Sequence, residues 1–560
     1  MILHPALILV LGALVLPWLP HRGARQAASL ALPLAALWAV WQVPDGSAWQ
    51  LHFLDYTLTP LAGDKLTRLF ATIFALMAAA GALFALRQES RVEVPAALFY
   101  AGSAMGVAFA GDLITVFIFW ELMAIASTLV IWSAGSRASY SASMRYLSIH
   151  LLGGVVLMAG IAGHVAATGS LAFTHMTPDS GASWLILAGF LVNAGAPPLS
   201  AWLPDAYPEA SWSGTVFLSA FTTKTAVYVL LRGFPGTELL IWVGMFMIFY
   251  GIVYALLEND MRRILAYSIV NQVGFMVVGI GIGTEMALNG AAAHAFAHII
   301  YKALLLMSAG SVLYRTGRRK CTDLGGLFQS MPVTAFCGII GALAISSFPW
   351  TSGFVSKSMI SQAAGDEHLQ YVWLGLAAAS AGVFLHAGIK FPWFVFFQKD
   401  SGLRPADPPA SMQIPMILFS ALCIGLGLFP APLYALLPFE VNYAPYSGAH
   451  VVTQLQLLLF SGLAFFVMLG FLKRTLTISL DLDWFYRMFA PRLVNLLTPL
   501  LTGVIAGLER TAASVAQRAG KTLHRHHGPQ GALARTWPTG SMAFWTVVML
   551  LAWLALYYLP

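Results

Sequence analysis

At 560 residues, with 59% hydrophobic, 9% charged and a mean hydropathy of +0.76, this chain has a balance that excludes a soluble globular protein. It reads as an all-α polytopic membrane protein. The net charge of +7 requires no nucleic-acid partner, since it follows from loop asymmetry and a basic tail.

In chain order the apolar runs fall at 2–20, 27–43, 66–86, 94–110, 113–134, 146–167, 183–203, 212–232, 239–257, 264–283, 287–313, 333–357, 369–397, 412–438, 450–472 and 542–558. That predicts about 14–16 crossings of the lipid bilayer. The first run lacks a basic leader and is expected to be a retained helix. With the N-terminus outside, the inner loops hold Arg22, Arg25, Arg87, Arg91, Arg137, Arg145, Arg262, Arg263, Arg315, Arg318, Arg319, Lys320, Lys399, Arg404, Lys473 and Arg474. The outer loops hold only Lys65, Arg68 and Arg232. This asymmetry predicts an inner (plasma) membrane protein with residues 475–541 in the cytoplasm. That insertion carries apolar residues at helical spacing and a basic face at Arg510, Arg518, Lys521 and Arg525, the pattern of an interfacial helix. Cys321, Cys337 and Cys423 form no metal or redox spacing, so no metal and no cofactor is expected.

The ionisable residues inside the apolar runs are the functional candidates. In the run 287–313, His294, His298 and Lys302 stand four apart, which puts them on one stripe of a helix, each about 40° round from the last. A Lys at mid-membrane costs roughly 2.5–3.5 kcal/mol on the insertion scale. Its retention beside two imidazoles points to movement of protons or ions. Lys224, Lys357 and Lys390 lie in other runs, with Lys390 near an inner end where snorkelling is an alternative. Among the acids, Glu121 clearly lies within a run. Two runs carry helix breakers, NAGAPPLSAWLP at 193–204 and SSFPWTSG at 346–353, each followed by a run that carries Lys. Paired broken segments in two halves predict repeats with a site at their interface.

The stretches FWELMAIAS, PPLSAWLPDAYPEAS, FTTKTAVYVLLR, DMRRILAYSIVNQVGF, HAFAHIIYKALLLMSAG and FPWTSGFVSKSMI closely resemble the antiporter-like subunit family. That family includes the D subunits of Mrp-type multisubunit cation/proton antiporters and the pumping subunits of NADH:quinone oxidoreductase and membrane-bound hydrogenases. The resemblance implies two inverted five-helix repeats, each with a Pro-broken helix. The expected division is 1–93 as N-terminal helices, 94–232 and 233–400 as the repeats, 401–474 as C-terminal helices, 475–541 as the insertion and 542–560 as the final helix.

By position, the resemblance makes Glu121, Lys224, His298, Lys302 and Lys357 the proton-translocation residues, with His294, Asn193 and Lys390 as weaker candidates. It implies other membrane subunits as partners, protons as the carried ion and Na+ as a candidate coupling ion. A pumping or anchoring subunit of a respiratory redox complex is the alternative reading. One position departs: Asn193 stands where the family usually has a lysine, the partner of the membrane glutamate. Lys224 is therefore expected to pair with Glu121, directly or through water held by Asn193.

Overall fold

The structure, a computed structural model, describes residues 3–53, 55–470, 480–528, 531 and 538–558. The inner-loop residues Lys473 and Arg474 lie outside them. Contacts divide the chain into a unit from Met1 to Asp483 and a unit from Trp484 to Pro560.

The first unit opens with α1 (Pro5–Val15) and α2 (Arg22–Val40). Between α2 and the next helix the chain departs from the all-helical expectation. Strands β1 (Gly46–Phe53) and β2 (Tyr56–Gly63) pair antiparallel, with Gly46 opposite Gly63 and Phe53 opposite Tyr56. Trp49, Phe53, Tyr56, Thr57 and Thr59 supply the aromatic and β-branched content that favours strands. A hydropathy reading for membrane spans passes over so short and half-polar a segment.

Helices α3 (Lys65–Phe84), α4 (Glu93–Phe109), α5 (Leu113–Trp132) and α6 (Arg137–Thr168) follow. Asp112 starts α5 by accepting the Thr115 amide at 2.7 Å, so a loop acid becomes an N-cap. Next come α7 (Gly181–Ala194) and the short α8 (Trp202–Ala206), separated by the Pro-Pro segment. The following crossing is also interrupted, into α9 (Gly214–Leu218) and α10 (Thr222–Gly233). No proline marks this second interruption, and the sequence gives no warning of it.

The second series runs α11 (Leu239–Leu257), α12 (Met261–Ile282), α13 (Glu285–Thr316), α14 (Pro332–Ile345), α15 (Ser352–Asp366) and α16 (Gln370–Val383). The last continues through two π-helical turns, Phe384–Lys390 and Trp393–Phe397. The two series share an order of lengths. A 32-residue helix (α6, α13) precedes a 14-residue half-helix (α7, α14) that ends at a break. The second break, at 346–351, holds Ser347 and Trp350 at positive φ, 57° and 68°. Non-glycine residues at such angles mark a tightly determined turn.

Helices α17 (Ala410–Leu428), α18 (Ala431–Tyr434) and α19 (Gly448–Val467) complete the bundle. Among the described residues, eleven helices are long and apolar enough to cross a membrane, and four shorter apolar helices accompany them. The windows of α12 and of the α9–α10 crossing are wholly buried, and α13 nearly so. These three form the core. At its far end Asp481 accepts the Tyr250 hydroxyl at 2.6 Å and that of Tyr267, which returns the chain to α11 and α12.

In the second unit, α20 (Ala490–His527) is one 38-residue helix and α21 (Thr539–Tyr558) is apolar. A single amphipathic helix over this stretch is what the spacing of its apolar residues had implied.

The second break depends on close backbone approach. A Cβ added at Gly353 would lie 1.9 Å from the carbonyl oxygen of Ala344, across the break, so backbone must move. Gly353→Ala is expected to cost about 1–3 kcal/mol of stability. The contrasting change, Gly425→Ala, adds a methyl in α17 where nothing lies within 4 Å. It should leave stability unchanged or raise it by up to about 1 kcal/mol. Thermal melting of the two purified variants checks this, and equal melting temperatures would refute it.

Candidate functional site

The site is a set of buried cations arranged around one helix. Helix α13 starts at Thr284, whose side chain accepts the Ala287 amide, and ends at Gly317 in the left-handed conformation. Alanine and glycine dominate its first half, so neighbours approach closely and its polar stripe is sealed. His294, His298 and Lys302 are all fully buried.

His294 is completely engaged. Its Nδ1 lies 3.0 Å from Ser356 Oγ on α15, and its Nε2 lies 3.2 Å from Gln272 Oε1 on α12. The Tyr301 hydroxyl, 3.2 Å from the same Nε2, donates to Gln272 Oε1 at 3.1 Å. Such a ring is held in one orientation. His298, one turn on, is its opposite: neither ring nitrogen has a hydrogen-bond partner, and its neighbours are the rings of Tyr301 (5.2 Å) and His294 (6.3 Å).

Lys302 Nζ donates to Ser268 Oγ at 2.8 Å and to the Leu265 carbonyl at 3.4 Å. Lys357 Nζ donates at 3.0 Å to the Ile345 carbonyl, the last residue of α14 before the break, and stands 4.6 Å from the Phe275 ring centre. Lys224 Nζ donates at 2.6 Å to the carbonyl of Ser219, in the interruption between α9 and α10, and at 3.0 Å to Thr223 Oγ1. The charges of Lys224, Lys302 and Lys357 all act on His298, and Lys224 and Lys357 act on Lys302. The structure thus brings together Lys224 from the first series with His298, Lys302 and Lys357 from the second.

Glu121 is not part of that gathering. It lies half-buried on α5, and its Oε1, enclosed and without a hydrogen-bond partner, presses on α6 at Gly154. A Cβ at Gly154 would lie 1.7 Å from that oxygen, so only glycine leaves room for the carboxylate. The direct Glu121–Lys224 pair expected from the sequence is not formed, because Lys224 turns instead to the carbonyl freed by the helix interruption. Among the described residues, neither takes part in an ion pair. Asn193 is fully buried at the end of α7 with both amide atoms unpartnered.

Lys390 has a different setting. Its three protons are matched by three carbonyls at the end of α11: Ala255 (3.1 Å), Leu256 (2.5 Å) and Glu258 (2.6 Å). That is a helix C-cap supplied by a side chain from another element.

Three buried histidines escaped the sequence reading, and one of them, His4, caps α1 and lies 3.0 Å from the Pro60 carbonyl through Nε2. His150 on α6 bonds the Tyr146 carbonyl through Nδ1 at 2.9 Å, stacks on the Tyr146 ring at 3.9 Å and leaves Nε2 unpartnered. His386, in the first π-helical turn, has no partner on either nitrogen. A lone histidine in an apolar run has no spacing to reveal it. Hydroxyl groups were missed for the same reason. Ser127 Oγ donates to Tyr146 OH (2.9 Å), which lies 3.1 Å from Thr222 Oγ1, which lies 2.5 Å from Tyr100 OH.

The most recognisable sequence stretches are clamps as well as site walls. Arg145 grips Asp205 through two bonds of 2.7 and 2.8 Å. Buried Arg262 donates to the carbonyls of Pro208 (2.8 Å), Ala210 (2.8 Å) and Ser211 (2.7 Å). Arg319 pairs with Asp260 at 2.9 Å and with Glu209 at 3.1 Å.

Residues 110–384 match the family model described as "NADH:quinone oxidoreductase/Mrp antiporter, TM". The A/B subunit of a probable K(+)/H(+) antiporter from Rhizobium meliloti (strain 1021) is 31% identical over 402 residues, covering 65% of this chain and 40% of that protein. The D subunit of the Na(+)/H(+) antiporter from Alkalihalophilus pseudofirmus is 28% identical over 398 residues, covering 65% of this chain and 80% of the other. In fold, the chain is similar to one in the structure of the membrane-bound sulfane sulfur reductase, an archaeal respiratory membrane complex. The TM-score is 0.72 at 23% identity, over 99% of both chains. This multi-pass membrane protein belongs to the antiporter-like family of the NADH:quinone oxidoreductase and Mrp antiporter subunits.

Proposed function

We propose that the chain is a proton-translocating subunit of a multisubunit cation/proton antiporter, working among other membrane subunits. The observation that carries this reading is that Lys224, Lys302 and Lys357 are all buried, that their charges reach His298, and that among the described residues none of them is paired with an acid. A lysine held by carbonyls and hydroxyls, without a carboxylate, has no strong partner to fix its charge, so desolvation works to release its proton. An imidazole with two free nitrogens accepts on one and donates from the other. Together they form a series of sites that load and unload without a covalent intermediate. His294, bonded on both sides, positions the stripe.

The two functional repeats are assigned to 94–232 and 233–400, related by inversion. Glu121, Asn193 and Lys224 belong to the first, and His298, Lys302, Lys357 and Lys390 to the second. Glu121 acts on the row from a distance. Its half-exposed position on α5 suits a carboxylate that answers to a neighbouring protein of the complex. The coupling cation is assigned as Na+, in line with the name of the Alkalihalophilus relative.

One observation favours a second reading, a pumping subunit of a respiratory redox complex. The family model that the chain matches is described by NADH:quinone oxidoreductase as well as by the Mrp antiporter. Purification with native partners separates the readings: flavin or iron–sulfur proteins would indicate the redox complex, and small membrane subunits alone the antiporter.

Lys302→Ala should reduce proton transport in everted vesicles to background while the complex still assembles; assembled variant with normal transport would refute the reading. Orientation follows the charge asymmetry, with the N-terminus outside and 475–541 in the cytoplasm of an inner (plasma) membrane. A cysteine placed at Gly317 should accordingly react with an impermeant thiol reagent from the cytoplasmic side alone, and labelling from outside would reverse the topology. For Glu121, Gly154→Ala should push the carboxylate aside and lower transport to the level of Glu121→Gln. The double variant should be no worse than either single one. Normal transport by Gly154→Ala, with Glu121→Gln impaired, would show that the carboxylate's position is unimportant.

A further inference from the structure

The transport reading leaves buried His386 without a role. It is fully buried, and among the described residues neither of its ring nitrogens has a hydrogen-bond partner. An unsatisfied buried polar group is costly, so a ring with two of them is normally served by bound water. It sits in a π-helical turn, Phe384–Lys390, a form that is rare and often found at functional positions.

The place of that turn is specific. A Cβ at Gly388 would come within 2.4 Å of Ser346 Oγ, so the turn lies directly on the second helix break. Lys357, whose ammonium bonds the last carbonyl before the same break, acts on His386 through its charge. Lys302 from α13 and Lys390 from the π-turn itself act on it as well. His386 therefore lies among three cations that belong to three different elements.

Lys390 is unsuited to pass protons along. Its three N–H groups are matched by three carbonyls at the end of α11, and deprotonation would break at least one of those bonds. A cation at a helix C-terminus is also favoured by the helix dipole. Lys390 is thus firmly held by hydrogen bonds, four residues from a ring whose nitrogens are uncommitted.

We propose that His386 is the proton-transfer group that joins Lys302 and Lys357 to the membrane face carrying the Glu258–Arg263 loop. The inference rests on the transport reading above. A proton taken up at one ring nitrogen forms the imidazolium, and loss of the proton from the other nitrogen restores the neutral ring; no electron pair or other group is transferred.

The test uses the whole complex, purified with its partners, reconstituted in liposomes and compared with Lys302→Ala. Two amide variants separate a carrier from a structural ring. His386→Asn places an amide near the Nδ1 position and His386→Gln near Nε2, and neither amide can take up a proton. A structural histidine tolerates at least one of them, whereas a carrier tolerates neither. Both variants are expected to assemble and to lose proton flux by about tenfold or more. If either variant keeps wild-type flux while Lys302→Ala is inactive, the role of His386 is overturned and the transport reading stands. If Lys302→Ala is active as well, the transport reading fails and this inference with it. Failure of both amide variants to assemble would mark His386 as a packing residue and would also overturn the proposal.

Discussion

The arrangement of this bundle is governed by the need to satisfy buried ammonium groups that have no buried carboxylate to pair with. An unpaired charge away from water is costly, and a membrane interior makes it more so. The chain meets the demand with backbone oxygen. Lys224 takes the carbonyl of Ser219, Lys357 that of Ile345, and Lys390 those of Ala255, Leu256 and Glu258. Each acceptor lies where a helix stops or is interrupted, because only there is a carbonyl free of its own i+4 amide. The breaks and the lysines therefore need each other. Removing a break would strand a cation, and removing a cation would strand a carbonyl.

This dependence explains why strongly recognisable stretches of the sequence are not all chemical. PPLSAWLPDAYPEAS turns the chain across the first break, which leaves polar backbone exposed within the bundle. Asp205, held by Arg145, and the 208–211 carbonyls, held by Arg262, fix that turn from two sides. Irregular backbone at membrane depth persists only when protein surrounds and satisfies it. The arginines supply that satisfaction while the lysines stay nearer the middle. Arg suits the task because its guanidinium presents several donors in a fixed plane and does not lose its proton. Lys302, with Ser268 Oγ and one long carbonyl contact, is left less firmly held.

The legible part of this architecture was the part that a single residue can signal. A lysine in an apolar run is conspicuous, and so is a double proline, so the α13 stripe and both Pro-marked breaks were readable from residue order. The interruption between α9 and α10 was not, because FLSAFTTK contains no breaker. Its cause is partly tertiary: the Tyr100 hydroxyl on α4 accepts the Thr222 amide, while Lys224 reaches back along its own crossing to the Ser219 carbonyl. The hairpin at 46–63 was hidden between two hydropathy peaks. His150 and His386 were hidden for lack of a partner in sequence, since nothing in SIHLLGG or FLHAGIK distinguishes a working imidazole from a packed one. The expected Glu121–Lys224 pair was a reasoned substitution for a missing lysine. It did not foresee that a freed carbonyl is a closer acceptor than a carboxylate on another helix.

That outcome changes how the two halves are to be compared. With Asn193 in place of the usual lysine, the first half keeps its glutamate but has no cation of its own beside it. The charge of Lys224, its one remaining membrane lysine, reaches His298 and Lys302 in the second half. Glu121 Oε1, both amide atoms of Asn193 and Nε2 of His150 are buried and have no hydrogen-bond partner among the described residues. The hydroxyls of Tyr146, Thr222 and Tyr100 are linked in series in the same half. Thr222 is two residues from Lys224, at the start of the same helix. The first half thus keeps one lysine and several hydroxyl groups where the family usually has a second cation.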